Sequence, residues 1–339
     1  MGPVTPLLAV LRQMKKRRQD LKFVWAGTAS GPEREVIGRD GIPFHPIPVA
    51  KLPRYFTLEM MRWPMDYLRA ANAARVLIKD IQPSLVVSAG GFTAVPVIKA
   101  AYAKGIPCAI HQLDAEPGLS NASVARLSRS VTTSFSYDQP PFRVPSDRVP
   151  TPCRFADDVV LDKDAAAKLL GLDGERPIVF ITGGGTGALA LNEAVSTILD
   201  ELLKTTQVIH LAGKEKQGAA RSRKGYVVAE FFDEGEMLNA YAAADLVVSR
   251  AGLGSLSELA CLKKAAIIVP IPDSHQEENA ERMPYPIVAQ GEGFETRLIE
   301  TVRTLLADQG RRRDVGDRAH QMLPTDDGSA LAERWLKLL

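Results

Sequence analysis

Short apolar runs recur along the chain, each four to eight residues long, rich in Val and Ile, and without polar alternation. In the first half they are KFVWAG (22–27), SLVVSAGG (84–91), PCAIHQ (107–112) and SVTTSF (130–135). In the second they are PIVFITGGG (177–185), QVIHLAG (207–213), YVVAEFF (226–232), DLVVSR (245–250) and AAIIVPIP (265–272). A strand that is apolar on both sides is buried on both sides, which is the signature of a parallel sheet covered by helices. Helical periods lie between the runs, as in LNEAVSTILDELLKT (191–205) and LSELACLKK (256–264). Strand and helix in alternation predict a doubly wound α/β sheet, and two such sets predict two sheets.

The stretch DRVPTPCRFADDVVLDKD (147–164) carries two prolines and no sustained period, so it marks a boundary. The expected division is a first Rossmann-like domain over 1–153, a second over 154–320, and a C-terminal helix over 321–339 that returns to the first domain. The first half opens on a helical pattern, TPLLAVLRQMKKRRQ (5–19), with no strand before it. The first strand of a doubly wound sheet lies centrally, so its neighbours would face a gap lined by unpaired backbone groups. The expectation is that the natural chain starts upstream and that Met1 is an internal methionine of a glycine-rich turn; the alternative is a short variant closed by another strand.

Composition narrows the class. The 339 residues are 45% hydrophobic and 24% charged, as in a globular protein, and the net charge of +2 gives no global attraction to nucleic acid. No run of 18 apolar residues is present, and the basic cluster near the start follows the apolar stretch, the reverse of a secretory signal. Cys108, Cys153 and Cys261 are scattered and odd in number, which suits a reducing cytoplasm and not a disulfide frame or a zinc site.

Two turns suggest phosphate chemistry. TGGGTGALALN (182–192) follows a strand and opens a helix; it is either a phosphate-holding turn or an ordinary tight one. RAGLGSLSELA (250–260) repeats the arrangement with Gly252 and Gly254. Ser255 and Glu258 have the spacing of a capping box, and Glu258 equally suits the hydroxyls of a ribose. His275, Gln276 and Asn279 in IPDSHQEENAERM (271–283), and the segments SAGGFTAVP (88–96) and HQLDAEPGLSN (111–121), also follow strands, where α/β proteins bind ligands. They are either site loops or solvated ones, and His111 reads better as a satisfied buried histidine. Asp162 and Asp164 could hold a metal on a diphosphate, although capping of the helix that follows explains them better. Arg12, Lys15, Lys16, Arg17 and Arg18, with the mixed basic and aromatic stretch 51–67, suit either an anionic lipid surface or an ordinary helix face.

Taken together, VTPLLAV, SAGGFTAVP, HQLDAEPGLSN, the Arg154 segment, GGGTGALALN, AEFFDEGEML, RAGLGSLSELA and HQEENA resemble the MurG-type transferases of cell-wall synthesis, from Gly2 to about Ala280 and more loosely to the end. The resemblance implies a GT-B fold, α/β with two Rossmann-like domains facing a cleft. It implies inverting transfer of N-acetylglucosamine from UDP-GlcNAc to undecaprenyl-linked lipid I, forming lipid II, at the cytoplasmic face of the membrane, with no metal or other cofactor. Carried over by position, Phe232 meets uracil, Leu253, Gly254, Ser255, Leu256 and Ser257 form the phosphate-side turn, Glu258 takes the ribose and Gln276 the sugar. Asp114, Arg154, Gly185, Thr186 and Asn192 complete the substrate-binding set. Pro3 stands where the family carries a His, Asp114 replaces an Asn, Gln112 and Leu113 replace a Glu-Gln pair, and Gly185 replaces a Ser. The catalytic base is therefore unassigned, with Asp114 and His111 as candidates. Rival readings are another GT-B lipid glycosyltransferase, a nucleotide-sugar-binding protein without turnover, and a UDP-GlcNAc epimerase.

Overall fold

A computed structural model describes residues 4–29, 33–48, 58–183, 189–213 and 222–339, and the side chains of the same residues apart from 58–62. The chain divides into two compact units, Met1–Pro152 with Asp327–Leu339, and Cys153–Asp326. In chain order the first unit contains α1 (Val4–Arg17), β1 (Trp25–Thr28), α2 (Glu33–Arg39), β2 (Phe44–Ile47), α3 (Leu58–Ile81), β3 (Val86–Ser88) and α4 (Ala94–Tyr102). It continues through β4 (Cys108–Gln112), α5 (Leu119–Val124), β5 (Ser130–Thr133), β6 (Asp147–Arg148) and β7 (Thr151–Pro152). The second unit holds α6 (Lys163–Leu169), β8 (Ile178–Thr182), α7 (Leu189–Leu203), β9 (Gln207–Leu211), β10 (Tyr226–Ala229), α8 (Glu234–Ala243) and β11 (Leu246–Ser249). There follow α9 (Leu253–Cys261), β12 (Ala266–Ile268), α10 (His275–Glu281), α11 (Phe294–Ala307), α12 (Gln309–Met322) and β13 (Thr325–Asp326). The last helix, α13 (Ser329–Leu336), belongs to the first unit.

In the first unit β3, β4, β5 and β6 form one parallel ladder, and β1 pairs in parallel with β2 in another. No ladder joins β1 to β3 among the described residues. Successive side chains leave a strand on opposite sides, and both sides are packed here. Cys108 and Ile110 meet Ala74 and Ile78 of α3 and Val97, Ile98 and Ala101 of α4, whereas Ala109 lies in the cluster formed by α1, α2 and α13. On α1 the buried positions Val4, Leu8, Leu11 and Met14 recur at helical spacing and pack with Leu331, Ala332 and Trp335 of α13. Gly328 allows the close approach: its φ is +92°, and a Cβ there would stand 2.8 Å from the backbone of Val10. β2, which the apolar runs do not foretell, is FHPI, a half-exposed strand with a proline inside.

In the second unit five parallel strands run in the order β10-β9-β8-β11-β12. Val179 and Ile181 of β8 face α7 and α11, through Leu191, Val195, Ile198, Leu298 and Val302. Phe180, between them, points the other way, 5.4 Å from the Tyr241 ring and 6.4 Å from that of Phe232. Burial of one such phenyl ring contributes about 1.5–3 kcal/mol. From β8 the chain moves outward to β9 and β10, then returns to place β11 on the other flank of β8. The order reverses between β8 and β11, and the carboxyl ends of the strands at such a reversal are the ligand position in open α/β sheets.

Candidate functional site

The loop after β11 lies at that switch point. Arg250 ends the strand with its guanidinium buried, Nη1 donating to the carbonyls of Val269 (3.0 Å) and Pro270 (3.1 Å), and so ties the tips of β11 and β12. Asn279 of α10 holds the next residue, its Nδ2 donating to the carbonyl of Ala251 at 3.0 Å. Gly252 then takes the N-cap of α9 with extended backbone, φ −68° and ψ 137°, and offers no side-chain cap. The helix therefore begins at Leu253, three residues before the predicted segment, and its first backbone donor used within the helix is Leu256, to Gly252. The amides of Leu253, Gly254 and Ser255 have no helical acceptor, and they stand at the positive end of the helix dipole. Open space surrounds the missing Cβ of Gly252. An anion is the natural occupant of such an end.

The capping-box reading of Ser255 and Glu258 is corrected by this start. Ser255 is the third helical residue, not the cap, and the Glu258 side chain does not return to the helix start. The carboxylate is buried, at 7% side-chain exposure, and both oxygens have partners: Arg154 Nε donates to Oε1 at 2.9 Å and the Tyr241 hydroxyl donates to Oε2 at 2.9 Å. A capping box does occur one helix earlier, where Asp233 caps α8 and Glu236 answers it. Arg154 lies over the Phe155 ring, 4.5 Å from its centroid. Burial works against its charge, but Glu258, Tyr241 and Glu234 together hold the guanidinium above its ordinary pKa. Tyr241 is wedged against Phe155 (6.1 Å) and Phe180 (5.4 Å), and burial followed by the neighbouring Glu258 pushes its phenol well up, so it remains a donor.

The other predicted substrate-binding residues distribute as follows. Leu253, Leu256 and Ser257 are buried in α9, and Ser257 Oγ donates to the Gly254 carbonyl at 2.8 Å. Phe232 lies between β10 and the capped start of α8, its ring against Phe180. Gln276, at the start of α10, accepts the Ile271 amide on Oε1 at 3.2 Å, and Ser274 caps that helix. Asn192 of α7 is buried, donating to the Ala212 carbonyl at 2.9 Å and lying 3.1 Å from His210 Nε2, so it fastens α7 to β9. Gly185 and Thr186 fall outside the described residues, as do Pro3 and residues 51–57 of the basic-aromatic stretch.

In the first unit, the Asp114 carbonyl accepts from Gln112 Nε2 at 2.8 Å and from the Tyr137 hydroxyl at 3.1 Å. His111 is buried, Nδ1 3.0 Å from Thr132 Oγ1 and Nε2 3.1 Å from Ser134 Oγ, and burial lowers its pKa to about 3. It is the satisfied buried histidine of the second reading and is ill suited to take a proton at neutral pH. Of the basic residues on the first helix and just after it, Arg12 pairs with Asp40 (3.6 Å), Arg17 with Glu333 (3.5 Å) and Arg18 with Asp20 (2.9 Å). Asp162 caps α6, accepting the Ala165 amide at 2.9 Å. No helix among the described residues is long and apolar enough to cross a membrane.

Tyr241 was not legible as a site residue. In NAYAAAD it reads as one more apolar position on a helix, and the signal that would single it out is that a buried phenol requires an acceptor. Arg154, by contrast, reaches Glu258 across 104 positions of sequence.

Residues 178–315 match the model of the glycosyltransferase family 28 C-terminal domain, and residues 1–133 that of the N-terminal domain. Among named relatives, the UDP-N-acetylglucosamine–N-acetylmuramyl-(pentapeptide) pyrophosphoryl-undecaprenol N-acetylglucosamine transferase of a Nocardioides species is 32% identical, over 99% of this chain and 95% of its own. The enzyme of the same name from Listeria monocytogenes serotype 4a is 31% identical over 100% and 97%. Among solved structures, Acinetobacter baumannii MurG superposes with a TM-score of 0.72 at 24% identity, covering 99% of this chain and 96% of that one. The UDP-GlcNAc 2-epimerase of Neisseria meningitidis bound to UDP-GlcNAc gives 0.68 at 12% identity, covering 98% and 96%. These structures share the two-domain GT-B fold.

Proposed function

The chain belongs to glycosyltransferase family 28, among the UDP-N-acetylglucosamine–N-acetylmuramyl-(pentapeptide) pyrophosphoryl-undecaprenol N-acetylglucosamine transferases, and on that premise we propose that it moves N-acetylglucosamine from UDP-GlcNAc to lipid I, forming lipid II. The single observation that carries the reading is the uncapped start of α9 beside the buried carboxylate of Glu258. The amides of Leu253 to Ser255 take the diphosphate, and Glu258, four residues further along the same helix from Gly254, takes the ribose hydroxyls. A carboxylate has about four acceptor positions, and Arg154 and Tyr241 fill one each. Phe232 lines the uracil position, and Gln276 meets the sugar. The first unit receives the acceptor, whose undecaprenyl tail keeps the reaction at the cytoplasmic surface of the membrane.

Chemically the step is a single inverting displacement. An acceptor hydroxyl attacks the anomeric carbon, its proton passes to a base, and the bond to the β-phosphate oxygen breaks. Negative charge then grows on UDP, where fixed amides and a helix end stabilise it without reorganisation. His111, buried with both ring nitrogens already hydrogen-bonded, is ill suited to serve as that base.

The test is an assay with UDP-GlcNAc and a lipid I analogue, with lipid II as the expected product. Saturable UDP binding without turnover would mark a binding protein. Conversion of the donor sugar with no acceptor present would mark an epimerase. The site itself is tested with Glu258→Gln, which keeps the shape of the side chain. Truncation to Ala would leave Arg154 and Tyr241 without their shared acceptor and mix stability with binding. Donor affinity is expected to fall about tenfold or more, the scale of hydrogen bonds to a charged group.

A further inference from the structure

We propose that Tyr241 is the positioning residue for ribose recognition: by holding Glu258 Oε2 from beneath, it aims the remaining acceptor positions of the carboxylate at the ribose hydroxyls and makes the site select ribo- over deoxyribonucleotides. The inference rests on the donor-site reading above and deepens it.

A glutamate side chain has three rotatable bonds, and from its position within α9 it can lie along the helix surface or turn inward. Here it is drawn inward. The Tyr241 hydroxyl lies 2.9 Å from Oε2, and the phenol has none of its surface exposed. The ring is fixed by edge contacts with Phe180 of β8 at 5.4 Å and with Phe155 at 6.1 Å. Phe180 itself is fully buried in the central strand, so the hydroxyl is referenced to the rigid centre of the sheet.

Arg154 cannot supply the same precision. It lies on an irregular segment outside the sheet, and its side chain is 21% exposed. Its contribution is a charge-assisted hydrogen bond to Oε1 at 2.9 Å. Tyr241 supplies direction. With Oε2 fixed from one side, the carboxylate plane is set, and two neighbouring hydroxyls can each donate to a preplaced lone pair. A 2′-deoxy sugar leaves one of those acceptors of the buried carboxylate unpaired, and this is the source of discrimination.

Calorimetric titration with UDP and with 2′-deoxyuridine 5′-diphosphate tests the assignment. The protein is expected to prefer UDP by about tenfold or more. Tyr241→Phe keeps both ring contacts and removes one oxygen; the preference is expected to shrink to about threefold or less, mainly through weaker UDP binding. Phe180→Leu loosens the ring while retaining the hydroxyl and lowers the ratio in the same direction, which keeps the test open if Tyr241→Phe does not fold. In a Glu258→Gln background, Tyr241→Phe should leave the ratio unchanged, because Tyr241 acts through the carboxylate. An undiminished ratio in both single variants overturns the proposal. So does an equal loss for both nucleotides, which is the mark of a purely structural residue. Absence of UDP binding by the unaltered protein, or full preference retained by Glu258→Gln, sinks the donor-site reading itself and the proposal with it.

Discussion

Removing the guanidinium of Arg154 should strand a buried charge. The pair is separated by 2.9 Å between Nε and Oε1, with side-chain exposures of 21% and 7%. Two unit charges about 4 Å apart attract by about 4 kcal/mol at an effective dielectric constant of about 20. Breaking a buried pair by deleting one partner costs about 3–5 kcal/mol, because the survivor is left without compensation. Tyr241 still serves Oε2 after Arg154→Met, and the partly exposed arginine position admits some water, so about 3 kcal/mol is expected. Glu258→Gln should cost less, about 1–2 kcal/mol, since the guanidinium left behind can reach water. The double variant contains no charge to strand and should lose only about 2 kcal/mol. The resulting coupling is about 2–3 kcal/mol.

The assay must report the second unit. All three tryptophans, Trp25, Trp63 and Trp335, lie in the first unit, so their fluorescence serves as a control. Native-state hydrogen exchange at the fully buried strand β8 reads the second unit directly. A coupling of about 0.5 kcal/mol or less would equal that of a solvated surface pair and would refute the burial argument.

Two further outcomes follow from the same packing. His210 is buried between Tyr226 and Asn192, and burial lowers its pKa to about 4, against about 6.5 in the unfolded chain. The unfolded state therefore binds the extra proton, and stability is lost as pH falls from about 6.5 to about 4, with a loss of about 2 kcal/mol between pH 7 and 5; amide exchange in β9 should show that slope, and His210→Gln should flatten it. Gly316 of α12 lies so close to the turn after α9 that a Cβ would stand 2.1 Å from the Lys263 carbonyl oxygen. Because that neighbour is backbone, Gly316→Ala should cost about 1–3 kcal/mol or more, read as a lowered urea midpoint, and a variant of unchanged midpoint would disprove the contact.

Much of the architecture is legible from local pattern. The apolar runs 107–112, 177–185 and 207–213 each become a strand, because a segment apolar on every side is stable only between two helical layers. β8 stops at Thr182, short of the glycines that follow it in the sequence. β2 escapes notice because its polar and proline positions break the apolar signature, and its pairing with β1 comes from the fold around it. In the site, the bare turn around Gly252 is visible because glycine spacing is a property of adjacent residues.

The amino-acid order by itself determined the α/β class and the two sheets, which depend on short periods, and its local motifs carried the family resemblance that implied the GT-B fold. Only tertiary structure decided what Glu258 does with its charge. Serine and glutamate three apart satisfy a local capping rule, but α9 begins at Leu253 and places Ser255 too late to cap it. The carboxylate instead meets Arg154, 104 residues away, and Tyr241 from α8. The physical reason is range: backbone periodicity is settled within a few residues, whereas the partner of a buried ion is chosen by whichever distant side chains the packed sheet brings within hydrogen-bond reach.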